Sequence, residues 1–147
     1  MSPTEIVQGM WQAVSDRDWE KARTYYADDC VFYDIPTGPT IAAIGPDDII
    51  KKLSISVDPL AAYANHPGLL LTNGTDVLFE HSETWTWASG EIAVLHFVSV
   101  HKVHDGKITL WKDYWDMSEL TNNAPAGWYE SFATSDLSWI SDATGKV

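Results

Sequence analysis

Two stretches of this chain carry residue types that could move protons. In Gly106–Asp116, Thr109, Trp111, Asp113 and Trp115 fall on one face of an extended segment. Asp113 is flanked there by two tryptophans, and a carboxylate in an apolar wall is costly unless something pairs with it or uses it. In Phe79–Trp87 the same alternation gathers Phe79, His81, Glu83, Trp85 and Trp87 on one side and Glu80, Ser82, Thr84 and Thr86 on the other. His81 and Glu83 then point inward, close enough to pair directly or through water. Buried with Asp113 they form an acid and base set, in which close carboxylates share a proton and the imidazole can bridge them. His81, Glu83 and either His101 or Asp113 are also metal-ligand types, but their spacing is not that of a metal motif. The chemistry read here uses no metal and no cofactor. Another acid, Asp34, ends an apolar run beside the Pro36–Pro39 loop, where a carboxylate is usually solvated or caps a turn.

The elements that must position these groups follow from capping and periodicity. Ser2-Pro3-Thr4-Glu5 reads as a capping box opening a helix to about Val14, with Ile6, Val7, Met10, Trp11 and Val14 as its buried stripe. Ser15–Asp18 leads into a second helix in which Trp19, Ala22 and Tyr26 face the same interior, stopped by Ala27-Asp28-Asp29. Cys30–Ile35 is a short strand, and Gly45-Pro46-Asp47-Asp48 opens a third helix. Asp58–Pro67 shows no clear period, so Tyr63, Asn65 and His66 are either pocket-mouth or loop residues. From Leu69 the pattern becomes extended: 69–72, 77–88, 91–104 and 107–116 are joined by Asn73-Gly74, Ser89-Gly90 and Asp105-Gly106 turns as an antiparallel meander. The expected architecture is α+β, with helices packed into the concave side of one strongly bent, mostly antiparallel sheet. In the longest strand Ala93, Leu95, Phe97 and Ser99 alternate with Ile92, Val94, Val98 and Val100, so both faces are apolar. The outer face, with His96 on it, needs a cover, and a second copy of the chain is expected to supply it as a homodimer.

Length and charge bound the function. The 147 residues fit one domain, 1–147, with 121–147 as a C-terminal extension whose Trp128, Tyr129, Phe132, Trp139 and Ile140 are too apolar for a free tail. It would lid a pocket or embrace a partner subunit. With 9 Lys plus Arg against 21 Asp plus Glu, the formal charge of −12 disfavours nucleic acid and anionic membranes as partners. No membrane-length apolar run and no signal-peptide pattern is present, so a cytoplasmic protein is expected. The single cysteine, Cys30, beside Val31 and Phe32, reads as core filler.

Gly106-Lys107-Ile108 with Trp111–Asp116, the helical hairpin and Tyr26-Ala27-Asp28-Asp29 resemble the NTF2-like superfamily, and within it the SnoaL-like polyketide cyclases and the limonene-epoxide hydrolases. The resemblance extends to about Leu120 and implies a cone-shaped barrel. In the limonene-epoxide hydrolases, Arg and Asp on one strand, Asp on the last, and Tyr and Asn on the first hold water and substrate. Those positions fall on His81, Glu83, Asp113, Phe32 and Asp34, of which only Asp113 is unchanged. The resemblance to ketosteroid isomerases assigns Asp34 as base, while their oxyanion tyrosine falls on Met10. In SnoaL-like cyclases the single acid or base falls on Asp113. Together these imply an acid–base isomerase or cyclase of a polyketide- or terpenoid-type molecule, or an epoxide hydrolase, or a non-catalytic binder. Asp113, Glu83, His81 and Asp34 would do the chemistry. Trp11, Phe32, Tyr63, Trp85, Phe97, Trp111 and Trp115 would shape a cavity for a hydrophobic substrate.

Overall fold

The computed structural model describes residues Met1–Val147. The first helix, α1 (Pro3–Ser15), begins with the capping box: Ser2 Oγ accepts from the Glu5 backbone N–H and the Glu5 carboxylate accepts from the Ser2 N–H. Its apolar stripe is fully buried. The second helix, α2 (Trp19–Arg23), is one short turn, because Tyr26 already belongs to β1 (Tyr26–Asp34). A three-residue β2 (Ala42–Ile44) and α3 (Pro46–Val57) follow. Then come the meander strands β3 (Ala62–Asn73), β4 (Asp76–Thr86), β5 (Ile92–His104) and β6 (Lys107–Trp115), and two short helices, α4 (Ser118–Thr121) and α5 (Trp128–Ala133). The Asp105-Gly106 turn holds both residues at positive φ, 48° and 76°, the mirror-image turn whose twist matches an antiparallel pair.

One six-stranded sheet runs in the order β2-β1-β6-β5-β4-β3. Its pairs are antiparallel except β1 with β6, so the sheet is mixed. The expected strongly curved, cone-shaped barrel is not what forms: the sheet is open, with β2 and β3 as its two edges. The reason lies at β2, whose outer edge is taken by the chain's own C-terminal segment. Ala42 and Ser141 exchange backbone hydrogen bonds of 3.0 and 2.7 Å, leaving no edge for β3 to close upon.

The inner face carries the alternation read from the sequence, with two differences. A bulge between Lys102 and Val103 turns Ile108 inward with Trp111 and leaves Thr109 half-exposed. Most of the segment without clear period is strand: β3 starts at Ala62 and shifts register between Pro67 and Leu70, so a bulge hid its alternation. The core divides into a larger cluster under α1, around Trp11, Phe32, Phe79 and Trp111, and a smaller one around Trp85, Trp87, Leu95 and Phe97. The C-terminal segment packs on its own chain. Trp139 is buried in the larger cluster, Lys51 of α3 bonds Ser138 and pairs with Asp136, and Ala143 is buried beside Tyr33. The C-terminal segment thus covers the outer face at β1, and the outer face of the meander is left bare within one chain: Ile92 is 56% and Val94 43% exposed, with Leu71, Leu78 and Tyr114 also open. No helix is long and apolar enough to cross a membrane.

Candidate active site

The polar residues of the inner face lie at the seam between the two apolar clusters, where Tyr63 packs against both. Asp113, His81, Glu83 and Ser99 are all buried there. β6 presents Asp113 directly opposite Ser99 of β5, and Ser99 Oγ lies 2.6 Å from Asp113 Oδ1. The Trp111 indole N–H donates to the same oxygen, also at 2.6 Å. Both hydrogen bonds thus converge on Oδ1, leaving Oδ2 for another partner. His81 Nε2 lies 2.8 Å from Ser99 Oγ, and its Nδ1 lies 2.8 Å from Asn65 Oδ1 on β3. Asp113, Ser99, His81 and Asn65 therefore form one hydrogen-bonded chain running diagonally across β6, β5, β4 and β3.

Glu83 stands apart from that chain. Its Oε1 accepts from the Trp85 indole at 2.9 Å, and the Tyr63 hydroxyl faces its carboxyl group. His81 and Glu83 project to the same side, as the alternation requires, yet the imidazole touches neither carboxylate and reaches Asp113 only through Ser99. Asp34 is Asp113's register neighbour across the parallel β1–β6 pair. It is already engaged: Lys52 Nζ of α3 lies 2.7 Å from Oδ2, and the Trp115 indole donates to Oδ1 at 3.0 Å. The same ammonium sits 3.7 Å from the centroid of the Phe32 ring, a cation–π contact.

Burial sets the proton affinities. Loss of hydration raises Glu83 from 4.5 to about 7, outweighing the Trp85 and Tyr63 hydrogen bonds that favour its anion. Burial also raises Asp113 well above the carboxylate range, reinforced by the neighbouring Asp34 and Glu83 charges and opposed by Ser99 and Trp111. His81 falls to about 3 and His101 to about 4 for the same reason, so both rings are neutral at neutral pH. His101 is a packing group: its Nδ1 lies 3.1 Å from the Val77 carbonyl and its Nε2 accepts from the Trp11 indole at 3.1 Å. Burial raises the Cys30 thiol too, in keeping with core filler.

The aromatic residues expected to shape a cavity form a packed wall. Phe32 stacks on Trp111 at 3.7 Å, Trp11 meets Trp111 edge-on at 5.1 Å, and Phe97 lies 5.3 Å from Trp115. A cleft of about 440 Å³ opens between α3, the end of β4 and α5, lined by Ile55, Pro59, Trp87, Trp128 and Phe132 among others. A more polar cleft of about 750 Å³, near Arg23 and Lys107, lies elsewhere, and neither cleft is lined by Asp113, Glu83 or His81. No cluster of three or more His, Cys, Asp or Glu side chains is arranged to hold a metal ion.

A profile of the SnoaL-like domain matches residues 7–111. The chain belongs to that family. The SnoaL-like match takes in Asp34, His81, Glu83 and Ser99 and stops two residues before Asp113. Among solved structures, an LEH-like epoxide hydrolase from M. tuberculosis is similar at TM-score 0.70 and 19% identity, covering 82% of this chain and 86% of that one. TerC co-crystallised with polyporic acid is similar at 0.72 and 21%, covering 82% and 95%. A protein from Shewanella denitrificans assigned as a SnoaL-like polyketide cyclase is similar at 0.73 and 18%, covering 82% and 94%. At these identities the likeness establishes the fold.

Two members of this site, Ser99 and Lys52, have no role in the sequence reading, and a third, Asn65, is left there between pocket mouth and loop. Ser99 carried a signal, a hydroxyl in an otherwise apolar inward column from Ala93 to Phe97. Asn65 sits two residues from Tyr63 and shares its face, but the Pro67-Gly68 irregularity concealed the strand. Lys52 had none beyond being a lysine three residues after Ile49 on an apolar helix side.

Proposed function

We propose that this SnoaL-like protein is an acid–base enzyme that isomerises or cyclises a hydrophobic small molecule, with Asp113 and Glu83 as its proton-handling pair. One observation carries the reading: two buried carboxyl groups of raised proton affinity share the seam of an otherwise apolar interior. Neither has a cation partner, whereas Asp34 does, so neutral hydrogen-bond partners and protonation are what offset their burial.

Glu83, at about 7, is partly ionised at neutral pH and serves as base, while Asp113, whose proton affinity is raised by burial and by the neighbouring Asp34 charge, serves as acid. Glu83 takes a proton from a carbon beside a carbonyl. The electron pair of that C–H bond becomes a C=C bond as the Asp113 carboxyl gives its proton to the carbonyl oxygen. In the reverse sense, Glu83 returns its proton to a different carbon and the enol O–H proton goes back to Asp113, so the rearranged product forms with no net change in the enzyme. The aromatic wall around Trp111 and Phe97 suits a ring-bearing substrate, and the cleft beneath α5 is its approach, because α5 contributes no buried residue of its own. Asp34, neutralised by Lys52, holds the wall instead of abstracting a proton. The bare outer sheet face is the surface of a homodimer.

Epoxide opening is the second reading, favoured by the same pair of inward carboxyl groups: Asp113 would activate water and Glu83 protonate the leaving oxygen. It is weakened by His81, which does not link the two carboxylates. Mass spectrometry of polyketide, terpenoid and epoxide probes in oxygen-18 water separates the two. An isobaric product supports rearrangement; a product heavier by one labelled water overturns it in favour of hydrolysis. Asp113→Asn should abolish turnover with little loss of ligand affinity, and undiminished turnover would remove Asp113 from the mechanism. Binding with no product for any probe would favour a binding protein.

A further inference from the structure

The chain from Asp113 to Asn65 has a polarity, and its polarity depends on where one proton sits. His81 Nδ1 faces Asn65 Oδ1, an acceptor, so in the neutral ring Nδ1 carries the hydrogen and Nε2 is bare. Nε2 then accepts from the Ser99 hydroxyl, which has only one hydrogen to give. In that arrangement the 2.6 Å contact between Ser99 and Asp113 Oδ1 is a hydrogen bond only when the carboxyl oxygen carries the proton, since the Ser99 hydrogen is already given to Nε2. With Oδ1 unprotonated every bond reverses: Ser99 donates to Oδ1, Nε2–H donates to Ser99, and the Asn65 amide turns to offer Nδ2–H to a bare Nδ1. The two arrangements differ by one proton, and that proton enters or leaves at Nδ1.

We infer that Ser99 and His81 form a proton path between Asp113 and the β3 edge of the sheet, with the tautomer of His81 tracking the proton on Asp113 Oδ1. Asn65 is the turnstile. It is half-buried on an edge strand, next to the exposed His66, so a rotation of its amide brings water to Nδ1 while the apolar interior stays closed. In the outward direction Oδ1–H breaks as Ser99 Oγ gains that proton, Ser99 passes its own to Nε2, and Nδ1 gives its hydrogen to water. The inward direction is the reverse. The geometry also separates the two oxygens of Asp113: Oδ1 exchanges its proton with Ser99, Oδ2 is free of hydrogen bonds to the protein, and a half-turn of the carboxyl group about Cβ–Cγ carries the proton from the first position to the second, where the substrate takes it. Ser99, His81 and Asn65 are thus positioning residues acting through Asp113, and the inference rests on Asp113's place in the proposed reaction.

The groups facing this path are fixed in kind. From β1 come Tyr26 and Asp34, the latter held by Lys52 of α3; from β3 Tyr63, from β4 Glu83 and from β5 His101; α1 contributes only the Trp11 ring, 4.4 Å from His81. None of them bonds His81, and burial keeps the ring neutral down to about pH 3, so its tautomer answers directly to its two hydrogen-bond partners, Ser99 and Asn65, and through Ser99 to Asp113.

The test is nitrogen-15 NMR of the histidine side chains in the full-length protein without ligand, alongside the carbon-13 carboxyl shift of Asp113, across a pH titration. The expected result is that the His81 Nδ1 and Nε2 shifts exchange places in step with ionisation of Asp113, with no imidazolium between. In Ser99→Ala, His81 should keep one tautomer while the Asp113 carboxyl still titrates. A wild-type His81 that keeps one tautomer while Asp113 ionises would overturn the inference. So would a tautomer exchange that survives in Ser99→Ala. The wild-type titration decides the matter even if the variant does not fold. Because no substrate is used, failure here is distinct from failure of the proposed chemistry, which Asp113→Asn turnover decides.

Discussion

Glu83→Gln isolates the cost of burying a carboxyl group at the seam. The substitution keeps the shape of the side chain, and the amide oxygen can still accept from the Trp85 indole, so what it removes is the titration. In the folded protein the group is raised from 4.5 to about 7, chiefly by burial. Because the folded value is the higher one, the native state holds more protons than the unfolded chain between those limits. The contribution to stability is complete below 4.5 and is lost as pH rises to about 7. At about 1.4 kcal/mol per pH unit, that window is worth about 3 kcal/mol, a large share of the stability of a domain this size.

The assay is urea unfolding of wild type and variant at about pH 5 and about pH 8. Asp113 is raised by the same environment and gives a slope of the same sign in both proteins, so the informative quantity is the difference between them. That difference should move by about 2.5 kcal/mol in favour of Gln between the two conditions, because about pH 5 already lies inside the window. Parallel profiles, with the difference moving by less than about 1 kcal/mol, would mean that Glu83 ionises as a solvated carboxyl group does, and its role as a base tuned by burial would fall with it.

Other side chains give independent checks. Lys52→Met strands the Asp34 carboxylate and should cost about 2 kcal/mol by denaturation, most of which Asp34→Asn in the same chain should recover; additive losses would deny the pairing. Trp11→Phe leaves His101 Nε2 buried without a donor and opens space beside Trp111, so a loss of about 2 to 3 kcal/mol is expected, against under 1 if packing alone mattered. Val94→Glu places a charge in the middle of the bare outer face. Sedimentation should show wild type at dimer mass and the variant at monomer mass; a wild-type monomer would remove the proposed interface.

Much of the site was legible because side-chain direction in a strand is local. Asp113 with its flanking tryptophans, and His81 with Glu83, Trp85 and Trp87, project inward as the period of two requires, and no distant residue is needed to say so. The capping box at Ser2 and the Asp105-Gly106 turn are equally local and were equally readable. The boundaries that shifted did so where a long-range contact outweighed local preference. Tyr26 could extend a helix, but it pairs with Ile108 and stacks on Trp111, and so opens β1 instead. Thr109 loses its inward place to Ile108 through one bulge opposite Val103.

Residue types and alternation thus settled which carboxyl groups and which imidazole turn toward the interior, and the bare apolar stripe of β5 followed from the same pattern. Partnership did not follow, because it depends on the register of strands far apart in sequence. His81 binds Asn65 and Ser99 and leaves Glu83 to Trp85 and Tyr63; Asp34 is claimed by a lysine from α3; and the sheet stays open because Ser141, more than a hundred residues after β1, occupies the edge of β2. Direction is a property of one residue's backbone, whereas a hydrogen bond between side chains belongs to two segments at once, and packing of the whole chain brings those segments together.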